Sequence, residues 1–431
     1  MRVAFCTLGC KVNQYDTDAM RELFENAGHE TVAFDEIADL YIINTCTVTQ
    51  TGDKKSRQMV SRAHALAPGA KIIVTGCYAQ RAPGETLALP GVSLVLGTSQ
   101  RARAVELAQA LFDEPLDKVS VVAAHGPEDD FEALTVSREG RTRAYLKIED
   151  GCDRYCAYCI IPYARGPVRS RPLSDVRRQL ELLNAQGYRE VVLTGIHLMS
   201  YGKDLAGITL ADAIAQAEGL DGIARIRLGS LEPQLLSDEF LAALTRSGKV
   251  CRQFHLSLQS GSETVLSRMN RRYTPREYAA CVTKLREAMP GCAITTDVIV
   301  GFPGETEQEF EETLAFVKEL ALSRIHVFPY SRRSGTKAYG MSDQVPPEEK
   351  RRRAKRLISL AEELEQDFAQ SLVGTRQLVL FEEEENGMLL GHTDTYVKAY
   401  VKCNDLDCLN QIKQTTVRRV LRDGIEVTII N

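Results

Sequence analysis

Short apolar runs alternate with helical stretches along the first part of this chain, and that alternation leaves few folds open. Val3-Ala4-Phe5, Leu40-Tyr41-Ile42-Ile43 and Lys71-Ile72-Ile73-Val74 read as strands, and Thr17 to Ala27 and Asp53 to Ala67 read as helices between them. Such a pattern predicts a doubly wound parallel sheet over residues 1–112. In a parallel sheet of this kind the carboxyl ends of the strands share one edge, where ligands bind. Three cysteines fall just past three of the strands: Cys10 in Thr7-Leu8-Gly9-Cys10, Cys46 in Asn44-Thr45-Cys46 and Cys77 in Gly76-Cys77. One such cysteine would read as a small buried residue. Three at equivalent strand ends read as a ligand set assembled by topology.

Residues 113–136 carry charge and proline, as in Gly126-Pro127-Glu128-Asp129-Asp130, and read as a linker. Beyond it, residues 137–345 alternate again. Ala144–Ile148, Glu190–Leu193, Ala224–Leu228, Gln253–Leu256, Ile294–Ile299 and Arg324–Phe328 are strand candidates without a dinucleotide-binding glycine fingerprint. A full or partial βα barrel follows, with its active site at the carboxyl ends of the strands. Thr274-Pro275-Arg276-Glu277 and Thr306-Glu307-Gln308-Glu309 mark two helix starts with a capping threonine and a returning glutamate.

Directly after the first barrel strand comes Cys152-Asp-Arg-Tyr-Cys156-Ala-Tyr-Cys159, spaced C-x3-C-x2-C with no fourth cysteine nearby. Thiolates favour zinc or iron–sulfur groups. Structural zinc is usually closed by four protein ligands. Three thiolates would hold a four-iron cluster by three corners and leave one iron open to a small molecule. Other candidates at the same barrel edge are Gly195, Glu232, Gln259, Asp297 and the loop from Gly301 to Glu305, whose glycines and proline equally suit a tight turn.

Residues 346–372 read as a connecting helix with an apolar stripe of Leu357, Ala361, Leu364, Phe368 and Leu372 that packs on the barrel. It carries the basic run Arg351, Arg352, Arg353, Lys355 and Arg356, which suits either a solvated face or a phosphate-contacting patch. Residues 373–431 change to short strands divided by Asn386-Gly387 and Asp423-Gly424, predicting a small OB-like β-barrel. Such barrels bind single-stranded nucleic acid through basic and aromatic groups. Here those would be Lys398, Tyr400, Lys402, Arg418, Arg419 and Arg422, with the run Glu382 to Glu385 facing away.

A net charge of −5 neither advertises nor excludes a nucleic-acid partner, because a local patch sets the field a phosphate meets. No apolar run is long enough to span a bilayer and no signal peptide opens the chain, so a cytoplasmic location is expected. Twelve cysteines in that setting point to metal or redox work more than to disulfides.

Taken together, Cys152-x3-Cys156-x2-Cys159, Thr7-Leu8-Gly9-Cys10-Lys11-Val12-Asn13-Gln14, Asn44-Thr45-Cys46-Thr47-Val48-Thr49 and Gly76-Cys77-Tyr78-Ala79-Gln80 resemble the radical S-adenosylmethionine methylthiotransferase family, and the closing barrel resembles its TRAM domain. The likeness covers nearly the whole chain, and all six expected cysteines are present. It implies two 4Fe–4S clusters and S-adenosyl-L-methionine as cofactors. Cys152, Cys156 and Cys159 would hold the cluster that cleaves S-adenosylmethionine to a 5′-deoxyadenosyl radical, and Cys10, Cys46 and Cys77 the cluster that delivers sulfur. Tyr158 would pack beside the first cluster, with Gly195, Glu232, Gln259, Asp297 and Gly301 as cofactor contacts. No acid–base catalyst is implied, because a ring carbon–hydrogen bond is activated by a radical. Cys6, Cys251, Cys281, Cys292, Cys403 and Cys408 are taken as ordinary residues. The Cys10-Lys11-Val12-Asn13-Gln14-Tyr15 stretch and Leu146 to Cys156 most resemble the branch that modifies N6-threonylcarbamoyladenosine next to the anticodon of tRNA. The branches acting on isopentenyl-adenosine or on a ribosomal-protein aspartate are the alternatives, and a non-catalytic metal-containing RNA-binding protein is a remote one. The implied partners are a tRNA anticodon loop and a low-potential electron donor such as flavodoxin or ferredoxin, with no membrane.

Overall fold

The structure is a computed structural model that describes all residues except 114–117, 127, 138–139, 234–236, 403–405 and 431. Its first unit is a parallel sheet ordered Glu30–Val32, Arg2–Thr7, Leu40–Thr45, Lys71–Gly76, Val92–Leu96, Val119–Val121. Leu40–Thr45 is buried at every position, as expected of a parallel strand covered on both faces. On one face Val3, Leu40, Ile42 and Ile73 pack against Met20 and Phe24 of helix Lys11–Asn26 and Ala104 and Ala108 of helix Ala104–Asp113. On the other, Ala4, Tyr41, Ile43 and Val74 pack against Val60 and Ala63 of helix Gln50–Leu66. The sheet is therefore doubly wound, as the alternation predicts.

The stretch read as a linker is built into the fold. Val119–Val121 pairs with Val92–Leu96 at the sheet edge. Leu134 and Val136 are buried in the central core, and the Tyr15 hydroxyl donates to the Leu134 carbonyl at 2.5 Å. Pro127 lies outside the described residues.

The central unit has two parallel sheets in sequence. One pairs Arg143–Lys147, Glu190–Thr194 and Arg225–Leu228; the other pairs Ser230–Leu231, Gln253–Leu256, Ala293–Val300 and Arg324–Pro329. The chain turns from one to the other through Gly229, whose N–H donates to Leu193 O at 2.9 Å. The result is an open βα barrel. Val191, Leu193, Ile226, Leu228, Phe254, Leu256, Ile294 and Val298 pack outward in the main hydrophobic core. By the two-residue period of a strand, Glu190, Arg225, Arg227, Gln253, His255, Thr295 and Asp297 face the interior. Both predicted capping boxes form, Thr274 with Glu277 and Thr306 with Glu309.

Helix Pro347–Ser371 divides its apolar stripe between two partners. Leu357, Ala361 and Leu364 join the central core, whereas Phe368, Ala369 and Leu372 join the core of the last unit. That unit is a closed barrel of Arg376–Glu385, Met388–Thr393, Lys398–Lys402, Gly424–Ile429 and Ile412–Leu421. It sits at the amino-terminal end of the central strands: Arg225 donates to Leu378 O at 2.6 Å, Arg227 to Asp394 O at 3.0 Å, and Arg252 pairs with Asp394 at 2.7 Å. The opposite end of the central barrel stays open for the cysteines. Among the described residues no helix is long and apolar enough to cross a membrane.

Candidate active site

Cys10, Cys46 and Cys77 follow three neighbouring strands of the first sheet, so the register that pairs Thr7 with Asn44 and Thr45 with Gly76 also sets the spacing of the thiols. Cys10 caps helix Lys11–Asn26, and Cys77 opens the short helix Cys77–Arg81. Local packing requires glycine at two places. A side chain at Gly9 (φ +111°) would meet Cys46 Sγ at 3.2 Å, and one at Gly76 (φ +92°) would meet Asn44 Oδ1 at 2.4 Å. The backbone N–H groups of Asn13 and Val12 reach the Cys10 thiol, and that of Val48 reaches Cys46. Burial pushes the Cys46 thiol up to about 11 and raises that of Cys10, with the neighbouring thiols adding to the push. Cys10 is nonetheless open to solvent by area. Both observations hold for a thiol facing an enclosed, water-accessible space.

Cys152, Cys156 and Cys159 lie on one loop at the carboxyl end of the first barrel strand. Tyr155, at φ +47°, turns that loop. Ala157 N–H donates to Met269 O at 2.8 Å, and Ala338 N–H donates to Ala157 O at 2.7 Å, so the loop is pinned in its middle. Burial pushes Cys152 and Cys159 up to about 12, while the N–H groups of Arg154 and Ile161 work in the opposite direction.

The two sets face each other. Helix Ile161–Arg165, which follows Cys159 directly, carries Arg165 to the Cys77 thiol of the other set. Each set receives one buried guanidinium: Arg165 Nε donates to Cys77 Sγ at 3.3 Å, and Arg271 Nη1 donates to Cys156 Sγ at 3.3 Å. Arg165 is anchored in a buried network with Asp16 at 3.1 Å and Asp150 at 3.0 Å. Lys147 pairs with the same two carboxylates at 2.6 and 3.3 Å, and Arg101 pairs with Asp16. Burial alone would raise the Asp16 carboxyl; Arg101, Lys147 and Arg165 outweigh it and hold it below the ordinary range. Arg333 ties the Cys46 loop to the central unit through Asp53 and Thr47, both at 2.6 Å. None of these arginines carries a local sequence signal, since each partner lies far away in the chain.

Among the described residues, the only group of three or more His, Cys, Asp and Glu residues whose ligand atoms all lie within 4.8 Å of one another is His255, Asp297 and His326. Neither thiol set is thus gathered for one tetrahedral ion, whose sulfurs would lie about 3.8 Å apart at a metal–sulfur length of about 2.3 Å. Three soft donors spread more widely, each set with N–H donors aimed at its sulfurs, fit a polynuclear iron–sulfur group. Beside Cys152, Glu149 is fully buried with its Oε1 unpartnered, while its Oε2 accepts from His197 N–H at 2.6 Å. Burial, with Asp150 adding to it, raises its carboxyl well above the ordinary range. An orphaned polar atom at this depth leaves room for a polar group of a bound molecule.

The remaining predicted contacts divide. Glu232 is buried at the mouth, bonded by Arg154 at 2.7 Å, His197 at 3.0 Å and Arg271 at 3.4 Å. Gly195 lies against Glu149, whose Oε2 would stand 2.5 Å from an added Cβ. Gln259 has φ +69° and bridges backbone to Asp297 and Ile299. Asp297 faces the interior, 3.4 Å from His255. Tyr158 packs edge-on to Phe302 at 6.5 Å. Gly301 (φ +71°) sits in a turn closed by Glu305 at 2.6 Å and packed under Lys350, so local structure accounts for it.

The basic run needs one correction. Arg353 is 4% exposed and bonded to Glu305 at 2.7 Å, so it cannot touch RNA; helical periodicity turns it inward. Arg352 pairs with Glu307 and Glu349, and Arg356 with Glu311 and Glu307. Arg351 and Lys355 are exposed. On the small barrel Lys402, Arg418 and Arg422 are exposed, Lys398 and Tyr400 both bond Asp423, and Arg419 pairs with Glu426. Glu382 does not face away: it pairs with Arg143 at 3.0 Å and His392 at 2.7 Å at the junction of the two barrels. Cys403 lies outside the described residues.

Residues 146–317 match the Radical SAM superfamily, and residues 2–97 match a family described as Uncharacterized protein family UPF0004. The chain is 46% identical over 410 residues to the threonylcarbamoyladenosine tRNA methylthiotransferase MtaB of Bacillus subtilis, covering 93% of this chain and 90% of that one. It is 34% identical to the tRNA-2-methylthio-N(6)-dimethylallyladenosine synthase of Finegoldia magna, covering 92% and 88%. A solved structure of the radical S-adenosylmethionine methyltransferase TsrM from Kitasatospora setae shares the fold at a TM-score of 0.59 and 16% identity, over 90% of this chain and 77% of that one. Spanning both domain matches and nearly the full length of such relatives, the chain belongs to the radical S-adenosylmethionine methylthiotransferase family, enzymes that work with S-adenosylmethionine and two four-iron clusters.

Proposed function

We propose that this enzyme adds a methylthio group to carbon 2 of N6-threonylcarbamoyladenosine next to the anticodon of tRNA, in the cytoplasm, with S-adenosylmethionine as radical source and methyl donor. The observation that carries the reading is the meeting of two separately built three-thiol sets, joined where Arg165, at the end of the short helix that follows Cys159, donates to Cys77 Sγ at 3.3 Å. The choice of substituent is supported by the name of the 46% identical relative. Cys152, Cys156 and Cys159 would hold one cluster, and Cys10, Cys46 and Cys77 the other. When bound, these groups supply one-electron reduction of the sulfonium and a sulfur to transfer.

The chain's own work is positioning. Arg271 and Arg165 would place a positive donor on one sulfur of each set, which favours the more negative, reduced state. Arg154, His197 and Arg271 hold Glu232 ionised at the mouth, where it could orient a cationic or hydroxyl-bearing group of S-adenosylmethionine. The anticodon loop would present its adenine splayed into the mouth, with Arg351, Lys355, Lys402, Arg418 and Arg422 on flanking phosphates. Electrons would come from a low-potential donor of the flavodoxin or ferredoxin class.

The test is anaerobic incubation of the reconstituted enzyme with reductant, S-adenosylmethionine and tRNA, followed by nucleoside mass spectrometry. The expected product is the 2-methylthio derivative of threonylcarbamoyladenosine. Methylthiolation of isopentenyl-adenosine alone would move the reading to that branch, and an unmodified tRNA pool would remove it.

A further inference from the structure

The loop that carries Cys152, Cys156 and Cys159 holds aromatic rings out in solvent. Tyr155, within the loop, is 52% exposed, and so is Tyr163 in helix Ile161–Arg165; their rings meet edge-on at 5.7 Å. A bulky residue at φ +47° costs free energy and persists only where its surroundings hold it. Here Asn270 Nδ2 donates to Tyr155 O at 3.0 Å. The bond from Ala338 N–H to Ala157 O brings the next residue, Tyr339, to the same loop, 41% exposed. Arg332 lies over the Tyr339 ring at 4.4 Å and donates to its carbonyl at 2.8 and 2.9 Å. Arg332 is exposed, as are Lys337, which adjoins Ala338, and Arg272, two residues from Asn270. Among the described residues none of these three cations pairs with a carboxylate. The exposed acid of the loop, Asp153, is already paired with Lys203 at 2.9 Å. Single exposed aromatics are ordinary. Three tyrosines on one short loop, interleaved with unpaired cations, form a surface.

We propose that Tyr155, Tyr163 and Tyr339 are a stacking platform for the unpaired nucleotides that flank the target adenine, with Arg272, Arg332 and Lys337 meeting their phosphates. The proposal rests on the function proposed above and adds where the single strand is gripped. The surface is continuous with the cysteine loop, so a strand that delivers one base to the thiols lays its neighbours on these rings. A splayed base exposes a flat face that a tyrosine ring covers whatever the base, and the cations between the rings match the backbone charge. The chain has no tryptophan, so such stacking falls to tyrosine. Exposed rings alone would suit a protein partner as well. Unpaired cations set between them favour a polyanion that also carries flat apolar faces. Locked at φ +47° by Asn270, Tyr155 keeps its ring in a fixed relation to Cys152 and Cys156, and stacking on it registers the strand against the loop.

The experiment uses the reconstituted full chain and an anticodon stem-loop RNA with 2-aminopurine next to the target adenine. Binding is read by anisotropy across a salt series, and stacking by quenching of the 2-aminopurine. Tyr163→Ala and Tyr339→Ala are each expected to weaken binding about tenfold at every salt concentration, with the salt slope unchanged, because stacking releases no counterions. Tyr163→Ala should also recover part of the quenched fluorescence, and Tyr163→Phe should behave as wild type. Arg332→Ala should instead lower the salt slope by about 0.7, the share of one single-strand phosphate. Tyr155→Ala should match Tyr163→Ala; iron is measured in each variant, and if Tyr155→Ala loads poorly, Tyr163 and Tyr339 carry the test. Wild-type affinity and quenching in fully loaded Tyr163→Ala and Tyr339→Ala overturn the platform. So does a loss that appears only in the KM for reduced flavodoxin, which would assign the surface to the electron donor. A wild type that neither binds nor modifies the RNA overturns the functional reading, and the platform falls with it.

Discussion

The two thiol sets reach similar arrangements by opposite routes. Cys152, Cys156 and Cys159 share one loop, pinned to the barrel by two backbone hydrogen bonds at Ala157. Cys10, Cys46 and Cys77 come from three strands and meet only when the first sheet has its correct register and sits against the barrel. A set built on one loop needs little more than that loop. A set built by topology depends on everything that holds three strand ends in place, including Arg165 and the buried charges behind it.

The largest expected effect separates the sets by task. Cys152→Ala should abolish S-adenosylmethionine cleavage and methylthio transfer together. Cys10→Ala or Cys46→Ala should abolish transfer while cleavage persists, each variant retaining about four of about eight irons. Iron and sulfide analysis with product chromatography checks both. Methylthio transfer at the wild-type rate by Cys46→Ala would end the assignment of the topological set.

A second experiment tests the dependence on distance. Asp16 touches no cysteine, but it pairs with Arg165, Lys147 and Arg101 in the interior. Asp16→Asn leaves those cations short of one charge, and breaking a buried ion network from one side costs about 3–5 kcal/mol. The expected outcome is a lower denaturation midpoint together with selective loss of iron at Cys10, Cys46 and Cys77, read by electron paramagnetic resonance. Equal loss from both sets would erase the distinction between local and topological construction.

The same distinction explains what was legible in the sequence. The strand–helix alternation gave the doubly wound sheet and the open barrel because hydrophobic period is a local quantity. The capping boxes at Thr274 and Thr306 were legible for the same reason. The six cysteines stand out as candidate ligands because their spacing, or their place after a strand, is written along the chain. Arg165, Arg271 and Arg333 could not be found, because each acts on a residue more than a hundred positions away or on an element reached only after docking. The 113–136 stretch misled through its composition. Its charged residues bracket Leu134 and Val136, whose burial depends on the barrel beneath them.

Acid sharpens the comparison around the local set. Burial alone would raise the Glu232 carboxyl, but the His197 hydrogen bond and the charges of Arg271 and Arg154 bring it down to about 2 from an ordinary 4.5. A depressed carboxyl stabilises the fold fully above its unfolded value and loses that contribution as pH falls from about 4.5 toward 2. The contribution is about 2 kcal/mol, the burial cost of the carboxylate being set against its three partners. Denaturant titrations at pH 7, 5 and 3.5 should show wild type weakening over that window, and Glu232→Gln should weaken less steeply. Parallel curves would show that Glu232 does not carry this share of the acid sensitivity.

The basic run sets local spacing against folded position at the smallest scale. Arg351, Arg352, Arg353, Lys355 and Arg356 are alike in sequence, but the helix spreads them over different surroundings. Arg353 is buried on Glu305, and Arg352 and Arg356 are paired with glutamates. Arg351 and Lys355 are exposed. Each of these two, changed to alanine, is expected to weaken tRNA binding about three- to fivefold at low salt and to reduce the salt slope by about one. Arg352→Ala should do less, because its charge is already shared with Glu307 and Glu349 and phosphate would have to compete for it. Arg353→Ala should lower stability instead, by leaving buried Glu305 without its guanidinium. Fluorescence anisotropy across a salt series reads the first three, and thermal melting reads the fourth. Uniform effects on RNA binding from all four would mean that the run acts as its sequence suggests, as one patch, and that its folded pairing is remade when tRNA binds.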